Sequence, residues 1–136
     1  MSDHIAAMLD LHPQAAEISE KSKLAECIAA CHQCAQTCTS CADACLAEDM
    51  VSDLVSCLRS DLDCADVCAA TGTILMRQTA ANPGVRRAML EACRAACSAC
   101  AEECERHAGM HEHCRICAAA CRRCEQACAA LLAASG

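Results

Sequence analysis

CIAACHQCAQTCTSCADAC, residues 27–45, places six cysteines in nineteen positions, with steps of four, three, four, three and four. The mean step of about 3.5 keeps all of them on one stripe of an α-helix, whereas in a strand each step of three would turn the side chain to the other face. This first ladder is Cys27, Cys31, Cys34, Cys38, Cys41 and Cys45. The beat returns as Cys57, Cys64 and Cys68, then as Cys93, Cys97, Cys100 and Cys104, and finally as Cys114, Cys117, Cys121, Cys124 and Cys128. All 18 cysteines of the chain belong to it.

The residues between the ladders read as turns. Asn82-Pro83 is an N-cap followed by proline at the first helical position, and Gly109 stands as a stop between the third and fourth ladders. Between the first two, Asp49 or Ser52 is the expected cap. The spacing predicts helices over about 22–47, 51–79, 83–107 and 111–133, with a short separate helix within residues 1–20 and a turn at Pro13. Short connections make sequential helices antiparallel. The expected fold is therefore all-α, an up-down-up-down four-helix bundle with its cysteine stripes inward, divided into an N-terminal helical extension (1–21) and the bundle proper (22–133).

Such a core is made largely of sulfur. The 136 residues include 31 Ala and 18 Cys against 20 Val, Ile and Leu together, and no Phe, Tyr or Trp. That little bulk would not close a core unless the cysteines fill volume, as free cysteine does. The formal charge of -7, with only the scattered pairs Arg86–Arg87 and Arg122–Arg123, argues against nucleic acid. MSDHIAAMLDLHP has neither a basic start nor a sustained apolar run, and no stretch reaches the length of a membrane span. A cytoplasmic protein is expected, where thiols stay reduced and dense cysteine points to metal or redox chemistry before disulfides.

Several uses of phased thiols compete. Packing alone accounts for two or three cysteines, not 18 in register. Disulfide scaffolds are loop-rich with irregular spacing, and the usual iron–sulfur run ends in Cys-Pro, which this chain lacks. Cys31-His-Gln-Cys34 has the CxxC form of a thiol redox protein, but redox catalysis needs one exposed, tuned thiol rather than a column of equivalents. A metallothionein-like zinc buffer is the remaining alternative. Four thiolates leave each Zn²⁺ at a net charge of about -2, hard to bury repeatedly, whereas one monovalent ion per thiolate leaves the core neutral. Cu(I) is monovalent, soft and content with two or three thiolates. The eight CxxxC pairs (27/31, 34/38, 41/45, 64/68, 93/97, 100/104, 117/121 and 124/128) are expected to act as nearly linear two-coordinate clamps, with facing helices adding a third ligand.

The repeated CxxxCxxC runs from Cys27 to Cys45, Cys93 to Cys104 and Cys114 to Cys128 resemble the copper storage proteins, in particular their cytosolic branch, over about residues 22–133. The resemblance implies storage or detoxification of many Cu(I) ions, about one per cysteine, no enzymatic activity, and a homotetramer of bundles. The second helix departs from the pattern with only three cysteines, its stripe reading Leu54, Cys57, Asp61, Cys64, Cys68, Thr71, Leu75.

Other residues complete the expected site. Asp61 sits between two cysteines of the seam, either as a copper ligand near His111 or His113 or tilted far enough to reach water. One end of the tube gathers Met50, His107, Met110, His111 and His113, whose imidazoles and thioethers are weaker, exchangeable Cu(I) ligands suited to a mouth. The other gathers Ile74, Leu75, Met89, Leu90, Leu131 and Leu132 as an apolar plug. His4 and His12 are expected to be solvated. A second stripe on helix two, Val51, Val55, Leu58, Leu62, Ala65 and Ala69, lies about 100° from its cysteines and is the expected oligomer face.

Overall fold

A computed structural model describes residues 3–135. Five α-helices follow one another: α1 (Asp3–Leu11), α2 (Lys21–Leu46), α3 (Val55–Met76), α4 (Pro83–His107) and α5 (Glu112–Ser135). Short 3₁₀ turns at Ala15–Glu17 and Val51–Leu54 precede α2 and α3. The long helices form a ring in the order α2, α3, α4, α5, each touching the next, and α1 lies along α2. Alternation of direction is visible in the sulfur contacts. Cys27, Cys34 and Cys41 of α2 meet Cys128, Cys121 and Cys114 of α5, and Cys57, Cys64 and Cys68 of α3 meet Cys104, Cys97 and Cys93 of α4.

Three of the four long helices start or stop where the sequence suggested. Asn82 caps α4, its side chain accepting from the Val85 N–H at 3.1 Å, and Pro83 opens the helix without an N–H to satisfy. The start of α3 differs. The segment expected to be helical from residue 51 first makes a 3₁₀ turn, closed by Asp53 N–H to Met50 O at 2.9 Å, and neither Asp49 nor Ser52 caps it. The tighter turn carries Leu54 inward over the sulfur column, where it is buried. At its other end α3 stops at Met76, three residues early. Arg86 Nη2 and Gln78 Nε2 both donate to the Leu75 carbonyl at 2.7 Å, satisfying a terminal acceptor that another helical turn would have claimed.

The core is one continuous cluster running from Ile5 and Leu9 of α1 to Leu131 and Leu132 of α5. Side chains as large as Leu, Ile or Met are scarce inside it: Ile5 and Leu9 of α1, Leu24 and Ile28 of α2, Leu54 and Leu75 at the two ends of α3, and Leu90, Leu131 and Leu132. Burying each of these is worth about 1.5–3 kcal/mol, and thiols fill the rest. Gly72 lets the bundle close. A Cβ there would stand 3.0 Å from the His32 ring and 3.2 Å from Cys31 Cβ, so a larger residue would require the α2 side chains to give by a few tenths of an ångström. Cross-helix ion pairs Arg122–Glu105 and Arg123–Glu26 lie on the exposed surface and add at most about 1 kcal/mol each. Among the described residues no helix is long and apolar enough to cross a membrane.

Candidate metal centre

All eighteen cysteines are free thiols, and all are buried. The 3.5-residue beat does this by itself, because it holds each stripe on the inner face of its helix over its whole length. Neighbouring sulfurs stand 3.5–4.0 Å apart, from Cys68–Cys97 at 3.5 Å to Cys68–Cys124 at 4.0 Å, which is van der Waals contact between thiols. Groups of four sulfurs lie within 4.8 Å of one another: Cys31, Cys93, Cys124 and Cys128; Cys34, Cys68, Cys97 and Cys124; Cys34, Cys38, Cys64 and Cys121; Cys38, Cys100, Cys117 and Cys121. These groups overlap. Cys34, Cys38, Cys121 and Cys124 each belong to two of them, so the column has no boundary between one candidate site and the next.

Two metal–sulfur bonds of about 2.3 Å span about 4.6 Å in line and about 4.0 Å at 120°. Two of the eight helical CxxxC pairs, Cys34–Cys38 and Cys64–Cys68, hold their metal-free sulfurs 3.8 and 3.7 Å apart. Such distances do not choose between coordination geometries, so the shared ligands and the charge discriminate. Four terminal thiolates leave a zinc ion at a net charge of about -2, whereas one monovalent ion per thiolate, with sulfurs shared between adjacent ions, leaves the core neutral.

Burial and thiol–thiol hydrogen bonds shift the thiols of the column in both directions. Burial pushes the thiols of Cys45 and Cys114 up to about 11 and about 12. Deeper inside, hydrogen bonds split the thiols: Cys121 and its neighbours hold Cys34 down, and Cys124 and its neighbours hold Cys31 up. A charge in the empty column is thus shared along it rather than owned by one residue. Each monovalent ion that enters displaces one thiol proton, and the electrostatic balance is unchanged.

Asp61 is fully buried, which removes the reading that it tilts into water. Its Oδ1 accepts from the thiols of Cys100, Cys117 and Cys104 at 3.1, 3.3 and 3.5 Å, while Oδ2 is buried without a partner. Burial, with Cys117 and Cys100 beside it, raises its carboxyl to about 10. The expected pairing of Asp61 with His111 or His113 is replaced by these thiols. Asp61 stands in the rung that a cysteine would occupy, with one carboxyl oxygen left unpartnered.

The imidazoles meet a different carboxylate. His113 Nε2 and His111 Nδ1 both reach Glu48 Oε2, at 2.9 and 3.1 Å, and the two rings stack with centroids 5.5 Å apart. The hydrogen bond from His113 holds the Glu48 carboxyl below its usual range. The other nitrogen of His113, Nδ1, lies 3.3 Å from Cys41 Sγ and 3.7 Å from Cys114 Sγ, and it completes a group with Cys41, Cys45 and Cys114. His107 is half-buried, and its carbonyl accepts from the N–H of Met110 and His111; the Met110 side chain is 67% exposed. Glu48 went unread in the sequence although the signal is there: it follows Cys45 by three residues and is the next step of the first ladder. At the opposite end Leu75, Leu90, Leu131 and Leu132 are buried and Ile74 and Met89 half-buried. His4 is exposed, whereas His12 accepts from the Gln14 N–H and touches Thr79.

Residues 20–133 match the family described as copper storage protein. The chain belongs to the copper storage protein family. Similar solved structures include the copper storage protein Ccsp of Streptomyces lividans loaded with 10 copper equivalents, 53% identical, with a TM-score of 0.93 over 96% of this chain and 98% of that one. A second structure of the cytosolic copper storage protein of Streptomyces lividans, with five coppers, is 60% identical, with a TM-score of 0.81 over 82% of this chain and 93% of that one. The cysteine-rich protein YhjQ of Bacillus subtilis is 34% identical over 107 residues, 79% of this chain and 94% of its own length. For a copper storage protein the thiol column is the storage volume, and the copper ions are its cargo.

Proposed function

We infer that this chain stores Cu(I) in the thiol column, at about one ion per cysteine, and serves as a reserve or a sink rather than as an enzyme. The overlapping groups of buried thiols carry this reading, since ligands shared between adjacent positions suit a neutral chain of monovalent ions and no single catalytic thiol stands apart. The Streptomyces lividans relative, loaded with copper and described as cytosolic, supports both the cargo and a cytoplasmic store. Residues 22–133 act as the storage unit and residues 1–21 as an extension laid along it. Titrating the reduced protein with Cu(I) beside Zn²⁺ under a competing chelator tests the reading. The expected result is Cu(I) uptake to about the cysteine count with the helical signal unchanged; saturation near a quarter of that count, or preference for Zn²⁺, overturns it.

The eighteen cysteines are the ligands in this reading, and Asp61 serves one rung through its unpartnered oxygen. His113, His111, Met110 and His107 form a graded approach at the mouth, with nitrogen and thioether donors outside the thiolates. Val51 of the preceding 3₁₀ turn and Val55 and Leu62 of α3 are exposed, Val55 at 62% and Leu62 at 44%, and we assign this face to contact between copies of the chain, in a tetramer by family precedent. Leu58→Glu with Leu62→Glu yields a monomer by light scattering in this reading; an unchanged mass overturns it.

A further inference from the structure

Glu48 Oε2 accepts a hydrogen bond from His113 Nε2 at 2.9 Å, and His111 Nδ1 lies 3.1 Å from the same oxygen. An ionised carboxylate is an acceptor only, so His113 Nε2 must carry the hydrogen. A neutral imidazole has one N–H and one lone pair, and fixing the first fixes the second. His113 therefore presents its lone pair on Nδ1, 3.3 Å from Cys41 Sγ and inside the group formed with Cys45 and Cys114. In the reverse tautomer of His113 the Nε2 lone pair would face the carboxylate oxygen, and an N–H would stand where an ion must bind.

We propose that Glu48 is a positioning residue that fixes the tautomer of the mouth imidazole of His113, so that His113 offers Nδ1 to a Cu(I) ion passing to Cys41, Cys45 and Cys114. The proposal rests on the reading of this end as the loading end. A carboxylate that orients a ligating histidine is worth about 10–100-fold in metal affinity or activity when removed. The ion reaches the thiols by exchanging an imidazole nitrogen for sulfur, and the proton displaced from the thiol leaves to the buffer.

Glu48→Gln tests this in the full-length reduced protein, because the amide keeps the shape but can donate as well as accept. Long-range ¹⁵N–¹H correlations of the His113 ring in the metal-free protein report the tautomer, and transfer of Cu(I) from a coloured chelator complex reports the loading rate. The expected result is a shift of His113 from the Nε2–H form to a mixture, together with loading slowed about tenfold, while circular dichroism and the final copper count stay within an ion or two of the parent. An unchanged tautomer overturns the proposal whatever the rate does, and an unchanged rate overturns it whatever the tautomer does. His113→Ala separates this from the underlying reading. If that variant loads slowly while Glu48→Gln loads normally, only the role of Glu48 fails; if His113→Ala itself loads at the parent rate, the loading end has been misassigned.

Discussion

The two ends of the bundle are built from opposite materials. At one, between α2 and α3 and between α4 and α5, a carboxylate, two stacked imidazoles and exposed methionines surround the last thiols. At the other, Leu75, Leu90, Leu131 and Leu132 close over Cys27 and Cys128, and Arg86 and Gln78 tie off the end of α3. Helix α3 shows the same contrast along its own seam, with Asp61 in the half near the imidazoles and Thr71 and Leu75 in the far half. A column of identical ligands has no direction. The ends give it one, since exchangeable donors offer an ion somewhere to stand and a leucine layer offers it nothing.

The sharpest way to break this contrast is to damage each end and compare what is lost. Leu75→Ala with Leu131→Ala should cost about 2–5 kcal/mol per site in chemical denaturation of the metal-free protein, because each truncation leaves a cavity in a layer with little other bulk. The loading rate should hold wherever the double variant remains folded. Faster loading would mean that the leucines are a gate and the ends are alike.

Next in size is a dependence on pH that belongs to one half only. The Asp61 carboxyl is raised to about 10 in the folded chain from the ordinary value of 3.8, so between these values the folded state keeps a proton that the unfolded chain has released. Stability of the metal-free protein should then fall as pH rises through that window and be unaffected below about pH 4. Asp61→Asn should flatten the slope, measured by denaturant midpoints at pH 5 and pH 8, and an unchanged slope would place the ionising group elsewhere. The variant should also lower the affinity for one or two ions, read by chelator competition.

A smaller effect, and one on rate alone, is expected from His111→Ala, His113→Ala and Met110→Leu combined. Loading and removal should slow about tenfold, with only the outermost ions lost, because outer donors set access and not the bulk of the binding. Any loss of stability should be small beside that of the leucine variants, since these side chains lie at the mouth and are partly or fully exposed. The smallest expected effect is at the closed end. Asn82→Ala removes the cap of α4 and should cost about 1 kcal/mol, leaving copper kinetics untouched.

How far the sequence disclosed this arrangement follows from what its periodicity encodes. Cys27 to Cys45 states a helix, an inward face and a ligand set at once, so the bundle and its sulfur column could be read before any coordinates. Periodicity says nothing of what happens where it lapses. The helix expected from residue 51 begins instead at Val55, after a 3₁₀ turn over Val51–Leu54 with Leu54 buried. Spacing along one helix also cannot state distances across four, so the thiol partners of Asp61 emerged only from packing. Glu48 was missed for another reason. It keeps the beat of the first ladder, but a glutamate in an acidic turn, EDM, reads as a solvated end.

Cys38 touches Cys34, Cys100, Cys117 and Cys121, each at 3.6–3.9 Å. An ion held there can trade one sulfur for the next without ever being bare, so movement within the protein needs far less reorganisation than departure from it. The contents should behave as a single stirred reservoir rather than as numbered slots. Two copper isotopes fed in succession and withdrawn slowly would leave in the proportion in which they were supplied, with no memory of which arrived first.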